Sequence, residues 1–511
     1  TEDLGVQLGD GAGQTTLTLS LEESRTQLGT AVAGLYPVTW SEGDVISVNG
    51  VESSAISISE NKSVATFTFN EVLEYPYAIA YPATTAGKVL FADQQAHTEG
   101  TFANGAAAMY GYKTAEGGLT LNHLTGVLKI GVTGDKTLSF AQISNADRAP
   151  IAGEFELDFA TGEVTPTTAS KEVISYSFGD GLALSADAQY IHATVPAGEY
   201  DELYVTLYDT EGGVMYTTIK ADDTKPLNAG KVREFSNTIA YAPNAEAFVI
   251  RDVATLKSFA EQAATLEKNA LVVADIDMTG EAWTPIEGYA KTLLGNGYAI
   301  KGLTAPLFGT TNASIKGLHL EDVAIVTNDA PIMGALACTV TATDDVAPVI
   351  EHCSVSGTLT VNNQTFAPKG ANSGNELVYA GLVARVIGVS VDHCVNNAAV
   401  TVDHLTVPGD TKNVYPFIGG VLAYAAEFTK TSGDKLFTNV TNCTNSAAVT
   451  YQDQSLTELP KSRAVYIGGV LVRCAEANHA IISNNTNDAP VTIQNAYIEH
   501  SNRPMVGGVV A

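Results

Sequence analysis

The stretch Cys394-Val-Asn-Asn-Ala-Ala-Val-Thr401 returns as Cys443-Thr-Asn-Ser-Ala-Ala-Val-Thr450 and again as Asn485-Thr-Asn-Asp-Ala-Pro-Val-Thr492. A looser copy, Cys353-Ser-Val-Ser-Gly-Thr-Leu-Thr360, follows Gly334, and the four starts step by 41, 49 and 42 residues. A second motif, Ala380-Gly-Leu-Val383, Gly419-Gly-Val-Leu422, Gly468-Gly-Val-Leu471 and Gly507-Gly-Val-Val510, opens successive copies, and each of the first three precedes one of the motifs at Cys394, Cys443 and Asn485. Earlier, Ile300-Lys-Gly-Leu303 recurs as Ile315-Lys-Gly-Leu318. Unequal steps around a constant motif place insertions in loops at one face. Units of this kind cannot bury their apolar side alone, so they stack. With short β-rich motifs and no helix between them, the expected form is a β-solenoid over 271–511.

Outward from the repeats, residues 253–266 put Val253, Leu256, Phe259, Ala260, Ala263 and Leu266 on one helical face, with Asp252 placed to cap it. The expectation is a linker and capping helix over 243–270, covering the first layer of the solenoid, whose open edge would otherwise invite strand pairing. Before it, residues 15 to about 240 alternate with period two, as in Thr16–Leu21, Val64–Phe69 and Leu203–Tyr208, and Gly, Asp and Asn clusters separate the runs. This predicts antiparallel sandwiches at 15–118 and 119–242, divided near Gly117 ahead of a strand at Leu119–Leu124, after a flexible lead at 1–14. The fold expected is all-β: two consecutive antiparallel β-sandwiches followed by a helix-capped right-handed β-helix or solenoid.

Composition narrows the function. The chain has 511 residues, with 56 Asp and Glu against 27 Lys and Arg, a net charge of −29. Binding a phosphate backbone requires clustered cations, so nucleic acid and a polybasic membrane patch are excluded as partners. Charged residues make up only 16% of the chain, against about 25% in an average soluble protein, while 45% are apolar, enough for sizeable cores. The apolar run Tyr379–Val391 is too short for a membrane span and contains Arg385. Five cysteines, Cys338, Cys353, Cys394, Cys443 and Cys474, lack the spacing of a disulfide framework or a zinc site. The start at Thr1 reads as a mature or trimmed product whose export signal has been removed.

Several residues invite a chemical reading. Glu351-His352-Cys353 and Asp392-His393-Cys394 suggest a metal site, but later copies carry Asn442-Cys443 and Asn484-Asn485, so the motif survives without His. With Cys inward as a small apolar filler, His faces solvent on the opposite side of a strand. Copies of this length are expected to occupy about two layers, which sets equivalent cysteines roughly 9 to 10 Å apart and too far for a disulfide. Asp344-Asp345 with Glu351 is the acidic cluster that a polysaccharide lyase or hydrolase would need. Asp275 and Asp277 suit either Ca²⁺ or a polar turn, and the turn is the reading preferred. Asp222-Asp223 reads as a hairpin tip, and Trp40 and Trp283 as core rather than as sugar platforms. No catalytic, cofactor-binding or metal-ligating residue is assigned on these grounds, no cofactor is expected, and the ligand-binding residues are left open.

The first two hundred and forty residues resemble the fimbrillin-like surface proteins of Bacteroidetes. The resemblance lies in Arg25-Thr-Gln-Leu28, Val38-Thr-Trp-Ser-Glu-Gly-Asp-Val-Ile46, Tyr81-Pro82, Leu124-Thr-Gly-Val-Leu-Lys-Ile130, Ile151-Ala-Gly153, Val195-Pro-Ala-Gly198 and Leu227-Asn-Ala-Gly-Lys-Val-Arg233, in that order. The remainder resembles the GLUG-type repeat region of bacterial surface proteins, through Asp275-Ile-Asp-Met278, Trp283-Thr-Pro-Ile286, Leu294-Gly-Asn-Gly-Tyr-Ala-Ile-Lys-Gly-Leu303 and Leu307-Phe-Gly309. The resemblance implies two transthyretin-like sandwiches, export with a lipid anchor on a removed leader, and a place at the extracellular face of the outer membrane or in a pilus. The expected function is a non-enzymatic adhesion or pilus-associated structural protein. The alternatives are a surface glycan-binding lipoprotein using the solenoid and a β-helix polysaccharide lyase or hydrolase. Expected partners are other pilus or surface-protein subunits, or host or microbial glycans and proteins. Assembly by strand exchange would use the segment up to Arg25.

Overall fold

The computed structural model describes residues 7–8, 13–21, 38–115, 119, 121–146, 149–243, 247–365, 376–406, 415–452, 465–475, 479–494 and 505–510. Their regular structure is almost entirely strand, with one α-helix and a short 3₁₀ turn among them. The chain divides into two compact units, Thr1–Asn244 and Ala245–Ala511. No helix among the described residues is long and apolar enough to cross a membrane.

The first unit is built mainly of antiparallel sheets. Thr15–Ser20 pairs with Val64–Phe69, and their alternating burial sends Leu17, Leu19, Phe67 and Phe69 into a core shared with Val48, Ile79 and Met109 of a second sheet and with Ile46 just before it. A separate core joins Thr125–Thr133 and Gln189–Pro196 to the sheet of Thr137–Asn145, Val173–Ala183 and Glu202–Asp209. Pairing runs across the expected division at residues 118 and 119. Asn122–His123 pairs back onto Met109–Lys113, Lys88–Phe91 pairs with Ala152–Asp158, and Gln94–Ala96 lies parallel to Val173–Ala183. The strand expected at Leu119–Leu124 is thus only Asn122–His123, and it belongs to the earlier sheet.

In the second unit the strands stack into four parallel ladders, to which successive repeats contribute in turn. The first ladder stacks Ala247–Ile250, Asn269–Val272, Thr292–Leu294, Ser314–Lys316, Val349–Glu351, Ser390–Asp392, Val440–Thr441 and Ile482–Ser483. The second includes His319–Thr327, Ser354–Thr365 and Val395–Thr406. The third stacks Ile332–Gly334, Glu376–Ala380, Tyr415–Gly419, Tyr466–Gly468 and Met505–Gly507. The fourth stacks Phe308–Thr311, Ala337–Thr341, Val383–Ile387, Leu422–Ala426 and Leu471–Ala475. Ile325, Leu359, Val400, Val449 and Val491 fall in register in the second ladder, and the first four are buried. This position of the repeated motif is therefore a core column, each of its four buried members contributing about 1.5–3 kcal/mol.

Two expectations are corrected by these ladders. A copy of 41 to 49 residues makes one layer, not two, because it contributes to all four ladders before returning to the first; Ile350 pairs directly with Val391, and Val391 with Val440. Equivalent residues are thus about 4.8 Å apart. The ladder also begins at Ala247–Ile250, before the helix rather than at 271. The helix, Val253–Gln262, is inserted between the first two strands of that ladder. Asp252 caps it as expected: its side chain accepts from the Thr255 N–H at 2.8 Å, and Thr255 Oγ1 accepts from the Asp252 N–H at 3.0 Å. Leu256 and Phe259 enter the core, where Phe259 meets Tyr289 edge-on with ring centroids 4.9 Å apart.

The repeated Asn and Gly residues form a polar column inside this apolar unit. Asn396 and Asn445 are fully buried. Asn396 Nδ2 donates to Asn445 Oδ1 at 2.7 Å, and Asn445 Nδ2 donates to Asn487 Oδ1 at 2.7 Å. The second amide proton of each goes to the carbonyl two residues on, of Ala398, Ala447 and Ala489. The second Gly of the opening motif leaves room for these amides. A Cβ on Gly381, Gly420 or Gly469 would stand 2.1 to 2.3 Å from Asn396, Asn445 or Asn487 Oδ1.

Candidate functional site

The His–Cys pairs are split by a corner rather than by the pleat of a strand. His352 and His393 have φ of 51° and 48°, and Asn442 and Asn484, at the same place in later repeats, have 55°. His and Asn are among the non-glycine residues that tolerate this left-handed conformation, which explains why they interchange there. The turn leaves the His393 ring exposed and stacks the His352 and His393 rings 4.8 Å apart. Cys353, Cys394 and Cys443 are buried and unbridged, their thiols donating to the carbonyls of Glu351, Asp392 and Thr441 at 3.2 to 3.3 Å. Burial pushes the Cys394 thiol up, and Cys353 and Cys443 in the adjacent layers add to the effect. No cluster of His, Cys, Asp or Glu suited to a metal occurs among the described residues.

The carboxylates singled out from the sequence are not brought together. Asp344 accepts from the Thr431 N–H at 2.8 Å and from its hydroxyl, and these bonds hold its carboxyl below the ordinary range. Thr431 sits in the hairpin formed by Phe428–Thr429 and Lys435–Leu436, which lies within the 49-residue step. Glu351 pairs instead with Lys316 at 2.9 Å. Asp277 accepts from the Thr279 N–H at 2.9 Å, as a polar turn does, whereas Asp275 accepts from the N–H of Ala299, 24 residues on, at 2.9 Å. Asp222 and Asp223 do not form a hairpin tip. The strand before them pairs within one sheet and Val232–Glu234 joins another, while Asp223 meets Arg233 at 3.3 Å. Trp40 is 1% exposed against Phe67 and Tyr81, and Trp283 packs on the main core and donates to the Pro306 carbonyl at 3.0 Å.

What the ladders do bring together is a set of arginines and aromatic rings. Arg385, Tyr424 and Arg473 fall in register in the fourth ladder, and Phe417 and Tyr466 in the third. The Arg473 guanidinium lies 5.4 Å from the Phe417 ring centre and 5.5 Å from that of Tyr424, and Arg385 lies 5.8 Å from Tyr424. Phe417 stacks on Tyr466 at 5.2 Å and meets Tyr424 edge-on at 5.8 Å. Arg473 is exposed, Arg385, Tyr424 and Tyr466 are half-buried, and Phe417 is buried. Beneath them is an apolar cluster, including Ala384, Ala423 and Val472, that is separate from the main core. A signal for the column was present in the sequence: Arg385, Tyr424 and Arg473 each stand five places after the first residue of the opening motif.

No protein family matches the sequence, and neither does any curated protein. Among solved structures, the chain is similar to one from Bacteroides ovatus described as a "putative immunoglobulin A1 protease". That match has 12% identity and a TM-score of 0.34, over 52% of this chain and 84% of that one. A second, described as "IgA1 Protease", matches with 13% identity and a TM-score of 0.25, over 58% of this chain and 27% of that one. The chain thus spans about a quarter of the second protein's length. Both neighbours carry the name of an enzyme, and the expectation of a non-enzymatic chain is withdrawn on that finding. At these TM-scores the likeness transfers neither an activity nor a site.

Proposed function

We propose that the chain is an exported cell-surface protein acting in adhesion or pilus-associated assembly. In this reading two fimbrillin-like sandwiches precede a right-handed β-solenoid whose first layers are covered by the helix at 253–262. Right-handedness follows the general rule for parallel crossovers. The observation that carries the reading is in-register repetition: four parallel ladders recur through the second unit, so an outward side chain is presented as a column along an extended face. The net charge supports it too. Residues 1–240 hold 31 acidic and 12 basic side chains, and residues 241–511 hold 25 and 15, so the chain carries −19 and −10 on its two parts. Such an excess keeps a protein soluble outside the cell. A second reading, a glycan-binding surface lipoprotein, is favoured by the arginine and aromatic columns.

The test is made on cells. Protease added to intact cells removes the protein if it is displayed at the surface, and deletion of its gene lowers attachment to mucin-coated and protein-coated surfaces several-fold, with recovery on complementation. Full protection from protease, or unchanged attachment, refutes the proposal. Assembly by strand exchange is tested by removing residues 1–25, which abolishes oligomer ladders if the segment before Arg25 is donated. Arg25 itself lies outside the described residues.

A further inference from the structure

We propose that Cys394 is the shared partner of a cross-layer disulfide, formed with either Cys353 or Cys443, that ties adjacent layers of the second unit together. The inference goes beyond the adhesion reading and does not rest on it.

Spacing is the first argument. Glu351 pairs with Asp392 and Ser354 with Val395, so Cys353 and Cys394 stand between two in-register pairs, one on each side of the corner. Asp392 with Thr441 and Val395 with Thr444 place Cys394 and Cys443 in the same way. One layer sets the Cα atoms about 4.8 Å apart, inside the range of about 4.4 to 6.8 Å that a disulfide spans. Orientation is the second. The three thiols point the same way, each also reaching a carbonyl of the layer before: Cys353 to Ile315 at 3.5 Å, Cys394 to Ile350 at 3.6 Å and Cys443 to Val391 at 3.7 Å. The Cys394 thiol is thus flanked by those of Cys353 and Cys443.

The corner itself supplies the third argument. In register, Leu318 takes the place of the cysteine in the layer before and Asn485 in the layer after. A position that accepts a larger apolar side chain at one end and an amide at the other does not demand a small apolar filler. Three consecutive thiols there need another reason.

Bridge formation removes two protons and two electrons from a pair of thiols and makes one S–S bond. A small disulfide of the glutathione type takes them up: one cysteine thiolate attacks it, the second cysteine displaces the small thiol from the mixed disulfide, and two small thiols leave. Burial keeps a reagent from the thiols of closed layers, so the exchange belongs to folding or to the opening of these layers. Cys353 and Cys443 are two layers apart, about 9 to 10 Å, so they cannot bridge each other and a chain carries one bridge at a time. Cys338 stands between Gly309 and Ala384, and Cys474 beside Ala425, so among the described residues neither faces a cysteine in its ladder.

The experiment uses the full chain, reduced in denaturant and refolded either with a reducing agent or with a glutathione redox buffer. Free thiols are then alkylated in denaturant, and linked peptides are mapped by mass spectrometry without reduction. Glutathione adducts, told apart by their added mass, count as unbridged thiols. All five cysteines are expected unbridged after reducing refolding, and two of them are lost to one bridge after refolding in the redox buffer. The linked peptides join Cys394 to Cys353 or to Cys443. Cys394→Ala keeps its remaining cysteines unbridged under both conditions, and the linkage map of the parent holds whether or not that variant folds. Five unbridged cysteines in the parent, any other bridge within or between chains, or a bridge in C394A each overturns the assignment.

Discussion

Replacing Gly420 by Ala is expected to loosen the middle of the second unit far more than its size suggests. The new Cβ would lie 2.1 Å from the Gly469 carbonyl oxygen and 2.3 Å from Asn445 Oδ1. Neither partner can give way cheaply. Gly469 O accepts from the Gly420 N–H at 2.9 Å, and Asn445 is fixed by bonds to Asn396, Asn487 and Ala447. Overpacking of this kind costs about 1–3 kcal/mol, and one buried amide bond left unmade adds about 1–3 kcal/mol. A loss of at least about 2 kcal/mol, roughly a thirtyfold change in the opening equilibrium, is the expected result. Stacked repeats need not unfold as one, so native-state hydrogen exchange is the proper assay, read at the amides of Gly420, Leu422 and Ser446. The control is Gly508→Ala, where a Cβ meets nothing within 4 Å and protection should be unchanged. Wild-type exchange in G420A, or equal damage in G508A, would refute the packing argument.

Other consequences can be checked in the same protein. His192 is 3% exposed, and burial, with smaller contributions from Lys129 and His97, pushes its pKa down to about 4. The unfolded chain then binds that proton more readily than the folded one. The stability of the first unit should therefore fall as pH drops from about 6.5 towards 4, by on the order of 3 kcal/mol, and His192→Gln should flatten that limb of a pH series of urea melts. Cys353, Cys394 and Cys443 should resist a thiol reagent at pH 8 while all five cysteines react in denaturant. Burial pushes the Cys338 thiol up to about 11, so its labelling rate should climb about tenfold per pH unit towards that value. Asp252→Ala removes the helix cap and should cost about 1 kcal/mol, measured as exchange at the Thr255 and Leu256 amides.

Local rules of the sequence carried much of the architecture. Val64–Phe69 alternates in sequence and in burial, and the stripe Leu256, Phe259, Ala263 is the buried side of the helix and the turn after it. The motif periodicity found the stacked unit, but not its layer height. Forty-odd residues suffice for two short three-sided turns or one four-stranded turn, and only the pairing of Ile350 with Val391 decides between them. The crossing of Lys88–Phe91 and Gln94–Ala96 into later sheets was hidden for a similar reason, since strand partners distant in sequence leave no period. The His–Cys pairs were read as a strand because the left-handed corner leaves only a His-to-Asn exchange as its trace. The arginine and aromatic columns needed both the motif alignment and the meeting of two ladders, and the second has no signature in the chain.

The asparagine column has a direction. The Nδ2 of Asn396 and of Asn445 each points to the Oδ1 of the next repeat, and the first Oδ1, on Asn396, is closed off by the Ala398 N–H at 3.1 Å, while the layer before it carries Val355 at the same register. A duplicated repeat would present the same acceptor to the layer before and the same donor to the layer after, so it could be spliced in at any Asn-bearing layer without redesigning its neighbours. The unit can therefore lengthen by gene duplication one repeat at a time, and with it the reach of whatever its outer face holds.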